Sequence, residues 1–280
     1  MTEVNYLESL NPLQYESVCS TEGPNLIIAG AGTGKTKVLT TRVAHIIDNN
    51  LAFPSQILCV TFTNKAAREM SERVQKLVSQ NMEKMPWMGT FHSIGAKIIR
   101  NHAEVIGLKQ SFTILDKDDQ LSLIKQIIKS ENLDQSQFSP KLIQSKIDHW
   151  KNKALNPNDI KSESLDNLVD EKSLSIYKIY QARLFEINCL DFGDLLLQCI
   201  NLFKVTDIHK RYSNNFKYIH VDEYQDTNAA QYKWLKLLGS HHQNVCCVGD
   251  DDQSIYSWRG AEVDNMLRFE KEFENAKVIR

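Results

Sequence analysis

Residues 29–36 read AGAGTGKT, and this glycine-rich stretch decides how the rest of the chain is interpreted. Glycine in a helix interior costs roughly 0.5–1 kcal/mol relative to alanine, so the stretch does not suit a buried helix. The apolar run NLIIAG before it has the length of a strand, and VLTTRVAHII after it places apolar residues near helical spacing. The segment therefore predicts a strand, a glycine-rich loop and a helix.

The predicted loop has the chemistry of a phosphate-binding loop. Backbone N–H groups can surround a phosphate where side chains are small, and a helix N-terminus behind them favours negative charge. In this pattern Lys35 reaches the terminal phosphates of a nucleotide, and the Thr36 hydroxyl binds Mg²⁺. Ala29 departs from the strict pattern, which begins with glycine. A chance glycine-rich turn is the alternative, and the flanking strand and helix disfavour it.

A second polar segment follows the apolar run YIHV at 218–221, which ends in the paired acids Asp222 and Glu223. We expect Asp222 to hold Mg²⁺ through water, near the phosphate loop of the adjacent strand. Glu223 is then placed to orient or deprotonate the attacking water. Two acids after a strand also suit a solvated turn, and only the phosphate loop makes that interpretation the weaker one.

A third segment, VGDDDQSIYSWRGA at 248–261, follows the apolar run VCCVG. Gln253 is suited to contact the γ-phosphate and the water. Tyr256 and Trp258 suit a base-stacking platform, where each stacked base contributes about 1–3 kcal/mol. The three consecutive aspartates are by themselves typical of a solvated, helix-capping run. Trp258 is equally compatible with a core or inter-domain contact.

Four apolar runs predict strands near 26–30, 57–62, 218–221 and 245–249. Runs that are apolar nearly throughout are typical of strands buried on both faces, and the helical patterns between them favour a parallel α/β sheet. The gap between the second and third strands is too long for one crossover. Its residues 111–210 alternate helical stretches with polar turns, and Asp116 and Pro140 mark two helix starts. We predict an inserted, all-helical subdomain there.

Composition excludes several classes of protein. The 280 residues include 33 Lys and Arg against 35 Asp and Glu, a net charge of −2, so a nucleic-acid partner would need a local patch or stacking. The six cysteines show no CxxC spacing, and three of them sit inside apolar runs. There is no signal-peptide pattern and no apolar run near the roughly 18 residues of a membrane span. We expect a soluble, cytoplasmic protein that makes no membrane contact.

In order along the chain, these motifs resemble those of the UvrD/Rep/PcrA helicases of superfamily 1. LNPLQYESV is similar to the family's adenine-reading Q motif, and AGAGTGKT to its motif I, in which alanine at the first position is normal. TFTNKAAREM resembles motif Ia, GTFHS the short motif after it, and LDFGDLL the motif that closes the helical insertion. VDEYQDTN resembles motif II and VGDDDQSIYSWRGA motif III.

The resemblance implies a RecA-like P-loop NTPase sheet, domain 1A, at residues 1–110 and 211–280, with a helical insertion, domain 1B, at 111–210. It implies ATP and Mg²⁺ as cofactors. Glu223, Gln253 and Lys35 would be catalytic, and Thr36 and Asp222 would hold the metal. The implied nucleotide-binding residues are Gln14, Ala31, Gly32, Thr33, Gly34, Lys35, Thr36 and Lys37. The implied DNA-binding residues are Phe62, Asn64, Thr90, His92, Tyr256 and Trp258.

The function implied is that of the N-terminal half of an ATP-dependent 3′–5′ DNA helicase acting in repair or replication. Its partners would be single-stranded DNA and junctions of duplex with single strand, and the fragment would be a monomer with little activity. Two departures bear on this hypothesis: Lys37 stands where the family often has arginine, and in the family the closing KVIR leads into a second RecA-like domain. The alternatives are an ATP- and DNA-binding module without motor activity, or part of a RecB/AddA-type helicase–nuclease.

Overall fold

The structure is a computed structural model that describes residues 6–30, 32–78, 85–161, 163, 165, 167–250, 269, 271–273 and 275–280. Its strands are β1 (Asn25–Ile28), β2 (Ile57–Thr61), β3 (Met88–Thr90), β4 (Thr113–Leu115), β5 (Cys189–Asp191), β6 (Tyr218–Val221), β7 (Val245–Gly249) and β8 (Lys277–Ile279). Its α-helices are α1 (Pro12–Cys19), α2 (Lys35–Asp48), α3 (Asn64–Leu77), α4 (Phe91–Asn101), α5 (Lys117–Ser130), α6 (Pro140–Asn152), α7 (Leu168–Glu186), α8 (Asp194–Leu202), α9 (Thr206–Asn215) and α10 (Ala229–Leu238).

Six of these strands form one parallel sheet in the order β3-β2-β6-β7-β1-β8. The four strands predicted from apolar runs correspond to β1, β2, β6 and β7, so the predicted parallel α/β fold is confirmed. The edge strands β3 and β8 were not predicted, because neither MGT nor KVI stands out from its surroundings as an apolar run.

The strand order corrects one expectation about the candidate site. The strand that precedes Asp222, β6, is not adjacent to β1, because β7 pairs with both and lies between them. The prediction that Asp222 follows the strand next to the phosphate loop is therefore wrong. The carboxyl ends of all three strands still lie at the same edge of the sheet, since the strands are parallel.

Three strands of the sheet, β2, β6 and β7, are buried at every position. This is the burial expected of a parallel sheet with helices on both faces. Apolar residues of α2 and α3 join those of the strands in one core; the fully buried members include Leu39, Val43, Ile46, Ile57, Cys59 and Val74. The glycine-rich loop thus connects two elements, β1 and α2, that both contribute residues to this core.

Helix starts follow the capping chemistry of the sequence. Asp116 precedes α5 and its Oδ1 atom accepts hydrogen bonds from the backbone N–H groups of Asp118 and Asp119, each at 2.9 Å. Pro140 is the first residue of α6, where its missing N–H group costs nothing. Both predicted helix starts are therefore confirmed.

The chain divides into two compact units. The first comprises Met1–Ile94, Thr206–Thr227 and Leu235–Arg280 and contains the six-stranded sheet. The second comprises Gly95–Val205 and Asn228–Trp234 and is mainly helical. Within the second unit β4 and β5 form a short parallel pair, which the sequence analysis missed because each strand has only three residues. Within the described ranges, none of the helices is both long and apolar enough to cross a membrane.

The second unit contains a buried ionic cluster that joins the two aspartates of the LDFGDLL segment to Lys151 of α6. The Nζ atom of Lys151 lies 2.7 Å from Oδ2 of Asp191 and 2.9 Å from Oδ2 of Asp194, and all three side chains are buried. The Tyr180 hydroxyl donates a further hydrogen bond to Asp191, at 2.8 Å. Burial, and then the charge of Asp191, raise the pKa of the Asp194 carboxyl. Two acids therefore depend on one ammonium group in the interior of this unit.

Candidate nucleotide-binding site

The glycine-rich loop connects β1 to α2 at the carboxyl edge of the sheet. The Thr33 hydroxyl donates a hydrogen bond to the backbone oxygen of Gly30 at 2.8 Å, which closes the turn. Gly34 has a φ of +90°, a conformation that costs other residues strain, and it directly precedes the first residue of α2. A Cβ atom on Gly34 would also lie 3.2 Å from Nε2 of Gln14. The loop therefore requires glycine at this position.

Lys35 begins α2 and is held on both sides. Its Nζ atom donates to the backbone oxygen of Ala29 at 2.9 Å and to Oδ2 of Asp250 at 3.1 Å. The Lys35 side chain is 10% exposed and that of Asp250 is 2% exposed, so the pair is largely shielded from water. Two partners therefore hold the ammonium group at the loop: Ala29, directly after β1, and Asp250, directly after β7.

Thr36 and Asp222 meet at the same edge. The Thr36 hydroxyl donates a hydrogen bond of 3.4 Å to Oδ2 of Asp222, and Oδ1 of Asp222 accepts one of 3.1 Å from the N–H group of Glu223. Burial, together with the charge of Glu223, raises the pKa of Asp222 to about 6. A hydroxyl and a carboxylate side by side are hard oxygen ligands of the kind Mg²⁺ prefers.

Glu223 follows directly and has an unusual backbone. Its φ is +54°, in the left-handed region that non-glycine residues adopt uncommonly. Its Oε2 atom accepts a hydrogen bond from Nε2 of Gln225 at 2.7 Å. The Oε1 atom of the same Gln225 accepts from the N–H group of Asp250 at 3.0 Å. Glu223 is therefore tied, through one amide, to the residue that pairs with Lys35.

The structure also locates the other predicted nucleotide contacts. The Gln14 Nε2 atom donates to the backbone oxygen of Thr33 at 2.9 Å, so this side chain touches the glycine-rich loop. Gln14 also completes a capping box with Asn11 at the start of α1. The Lys37 Nζ atom donates to the backbone oxygen of Ser9 at 2.8 Å. Gly32, with a φ of +75°, lies within the loop, and Ala31 lies outside the described residues.

The predicted DNA contacts that can be located lie where β2 and β3 end. These strands pair with Thr61 opposite Thr90. The Phe62 ring packs edge-on against Phe91, with centroids 5.5 Å apart, and Asn64 is the exposed first residue of α3. His92 is half-buried in the first turn of α4. The Thr90 hydroxyl accepts a hydrogen bond from the N–H group of Ser93 at 3.1 Å and so caps α4.

Besides Ala31, three predicted site residues lie outside the described residues, namely Gln253, Tyr256 and Trp258. The described end of β7 nevertheless corrects the view of Asp250 as part of a solvated acidic run, because this residue is buried and paired. Sequence reasoning missed both Asp250 and Gln225. The available signal was position: each lies within five residues of the end of a buried strand at the edge where the other site residues gather.

The fold and this loop define the class of P-loop nucleotide-binding proteins with a RecA-like parallel sheet. The family model of the UvrD/REP helicase N-terminal domain matches residues 10–274, and the chain belongs to this family. DNA helicase II of Rickettsia typhi is 50% identical over 284 residues, covering 100% of this chain and 43% of that protein. The ATP-dependent DNA helicase PcrA of Staphylococcus aureus is 48% identical over 274 residues, covering 98% of this chain and 37% of that protein. The chain thus spans less than half the length of these relatives, and the family predicted from its motifs is confirmed.

Proposed function

We propose that this chain is the ATP-hydrolysing, DNA-gripping N-terminal part of a helicase that translocates 3′ to 5′ along single-stranded DNA. One observation carries the proposal: the Lys35 ammonium, the Thr36 hydroxyl and the acids after β6 meet at one edge of the sheet, in a chain of the UvrD/REP family. The 3′–5′ polarity, and a role in repair or replication, rest on the family resemblance.

The residues at this edge fit a magnesium–nucleoside triphosphate. The N–H groups at the start of α2 and the positive end of its dipole favour a phosphate chain. The Thr36 hydroxyl would bind Mg²⁺ and Asp222 would hold it through water, and Lys35 would supply a positive charge beside them. When bound, Mg²⁺ offsets the negative charge of the phosphate oxygens as the γ-phosphoryl group is transferred. Gln14, at the loop, is placed to read the adenine.

Glu223 acts as the base in this proposal. The oxygen of the attacking water forms a bond to the γ-phosphorus, the bond from that phosphorus to the bridging oxygen breaks, and Glu223 accepts the proton. ADP and inorganic phosphate are the products. Lys35 stabilises the charge that develops on the phosphates, and Gln253 senses the γ-phosphate. Asp250 keeps the Lys35 ammonium at the loop, since its Oδ2 atom lies 3.1 Å from the Nζ atom of Lys35.

Single-stranded DNA is the proposed second ligand. Phe62 and Asn64 follow the end of β2, and Thr90 is the last residue of β3 with His92 just after it, so DNA passing this edge of the sheet would meet all four. Tyr256 and Trp258 are proposed to stack on its bases. ATP-driven closure and opening against a second RecA-like domain would then move the grip along the DNA.

We assign residues 1–110 and 211–280 to the ATP-binding domain 1A and residues 111–210 to the insertion 1B. A second RecA-like domain, with its arginine fingers, would complete the motor. Because such a finger contributes roughly 10³–10⁵-fold in rate, the 280-residue chain is expected to bind Mg·ATP weakly and to turn it over very slowly.

The test compares ATP hydrolysis, with and without single-stranded DNA, for this chain and for a longer chain that includes a second RecA-like domain. DNA-stimulated hydrolysis by the longer chain only is the expected result. Nucleotide and DNA binding without hydrolysis in either chain would favour the binding-module alternative. Glu223→Gln is the matched control, since it preserves the size of the side chain and should leave ATP binding intact while eliminating hydrolysis.

A further inference from the structure

Gln225 lies in the candidate site, although neither the phosphate-loop pattern nor the paired acids predicted a role for it. It belongs to the short 3₁₀ turn Tyr224–Asp226, directly after Glu223, and it is only 2% exposed. A buried amide offers two donors and one acceptor group, and leaving them unpaired costs about 1–3 kcal/mol. The hydrogen-bond partners of this amide therefore determine whether its burial is stable.

Both ends of the Gln225 amide are used within the site. Its Nε2 atom donates to Oε2 of Glu223 at 2.7 Å, and its Oε1 atom accepts from the N–H group of Asp250 at 3.0 Å. The Asp250 carboxylate in turn pairs with Lys35 at 3.1 Å. One continuous chain of contacts therefore runs from Lys35 of the loop, through Asp250 and Gln225, to the Glu223 carboxylate.

We propose that Gln225 is the positioning residue for Glu223, a proposal that rests on the function proposed above. By holding Oε2, the amide fixes the rotamer of the carboxylate and leaves Oε1 to receive the proton of the attacking water. By holding the Asp250 N–H group, it also fixes Glu223 relative to the end of β7 and hence to Lys35. A carboxylate side chain without this hold samples several rotamers, most of which do not face the reacting phosphorus.

The backbone of Glu223 is also held in an uncommon conformation. Its φ of +54° is an uncommon conformation for a residue with a Cβ atom, and strained positions of this kind persist when surrounding contacts over-determine them. Two backbone hydrogen bonds hold Glu223 in the turn: its N–H group donates to Oδ1 of Asp222, and its carbonyl oxygen accepts from the N–H group of Asp226 at 3.0 Å. The bond from Gln225 orients the Glu223 side chain.

The test uses Gln225→Met, which keeps the length and volume of the side chain and removes both hydrogen bonds. Single-turnover hydrolysis of radiolabelled ATP is measured, alongside the Kd for a fluorescent ATP analogue, in the longer chain that includes a second RecA-like domain, because the 280-residue chain is expected to hydrolyse ATP very slowly. Positioned general bases contribute about 10²–10⁴-fold, so we expect the hydrolysis rate to fall about tenfold or more while Kd changes less than threefold. Gln225→Glu, which keeps an acceptor for Asp250 but repels Glu223, should slow hydrolysis at least as much.

The matched control is Gln231→Met. Gln231, on α10, is also buried, and its Oε1 atom accepts a hydrogen bond from the N–H group of Asn228 at 2.8 Å. It is not a member of the chain of contacts that links Lys35, Asp250, Gln225 and Glu223. This control should lose stability comparably and hydrolyse ATP at the parent rate. A Gln225→Met rate within twofold of the parent, or a rate loss matched by an equal loss of affinity, would overturn the positioning role. No ATP binding by the unmutated chain would instead overturn the proposed function and, with it, this proposal.

Discussion

The Nζ atom of Lys35 lies 3.1 Å from Oδ2 of Asp250, and the two residues are 215 positions apart in the chain. The pair joins the start of α2 to the end of β7, and both side chains are largely buried. Removing one partner of a buried pair leaves the other charge without compensation, so this contact contributes to the fold as well as to the candidate site. The first prediction separates these two contributions.

Lys35→Ala is expected to abolish detectable nucleotide binding and to lower the free energy of unfolding by about 3–5 kcal/mol, because the Asp250 carboxylate stays buried without its ammonium partner. Denaturant unfolding and titration with a fluorescent nucleotide measure the two effects. In the double variant Lys35→Ala/Asp250→Asn the buried charge is gone, so stability should partly return while nucleotide binding stays lost. Lys65→Ala is the control, since its side chain is 87% exposed. Unchanged nucleotide affinity in Lys35→Ala would mean that the loop does not hold phosphate.

A second prediction concerns Gly95, where α4 passes close to α8. A Cβ atom on Gly95 would lie 2.5 Å from the backbone oxygen of Leu195, which cannot move without shifting α8. Alanine favours helices over glycine by about 1 kcal/mol, whereas overpacking costs typically 1–3 kcal/mol. Gly95→Ala should therefore lower the unfolding free energy, despite the better helix former. Lys125→Ala, at an exposed position of α5, is the control for an alanine substitution without overpacking. A Gly95→Ala variant more stable than the parent would refute the close approach.

How far the sequence alone predicts this molecule depends on the kind of feature. The strands β1, β2, β6 and β7 and the glycine-rich loop were predictable, because each is a contiguous pattern of apolar or small residues. The insertion of β7 between β1 and β6 was not, since strand order depends on tertiary packing rather than on local pattern. Asp250 is the first of three consecutive aspartates, a run that in sequence is typical of a solvated turn, and only the fold shows that it is buried and pairs with Lys35.

The ionic cluster of the second unit gives a third prediction. Lys151→Met is expected to lower the unfolding free energy by about 3–5 kcal/mol, because Asp191 and Asp194 are left buried beside each other without a cation. Lys117→Met is the matched control: Lys117 pairs with Asp148, but its side chain is 61% exposed, and surface pairs contribute about 0–1 kcal/mol. Thermal or denaturant unfolding of both variants provides the comparison. Equal effects of the two substitutions would show that burial of the cluster adds nothing.

The last prediction concerns pH and His220, which lies in β6 at the centre of the sheet. Its side chain is 1% exposed, both ring nitrogens lack a hydrogen-bond partner among the described residues, and its neighbours in register are Cys59 and Cys246. Burial, and then the positive charge of Arg42, hold the pKa of His220 well below its ordinary value of 6.5. The folded state therefore keeps this imidazole neutral at pH values where the unfolded chain binds a proton.

The direction in which stability changes with pH follows from this difference in protonation between the two states. Above about pH 6.5 neither state is protonated at this residue, and His220 has no effect on the pH dependence. As the pH falls below that value, the unfolded chain gains a proton that the folded state does not, so stability falls by up to about 1.4 kcal/mol per pH unit. The raised pKa of Asp222 acts in the opposite direction, since the folded state binds its proton at about pH 6. The informative quantity is thus the difference between a variant and the parent.

His220→Leu removes the titrating group and the unpaired nitrogens while keeping an apolar side chain in β6. Between pH 7 and pH 5 the parent should lose about 2 kcal/mol more unfolding free energy than this variant. The reason is that pH 5 lies about 1.5 units below the pKa of the unfolded histidine, and each unit contributes about 1.4 kcal/mol. Urea unfolding at the two pH values measures the difference, and His241→Leu, at an exposed turn, serves as the matched control with no comparable change. Parallel pH dependences of the parent and His220→Leu would mean that the imidazole binds its proton as readily in the folded state as in the unfolded chain. That result would contradict the effect expected from burial and from the charge of Arg42.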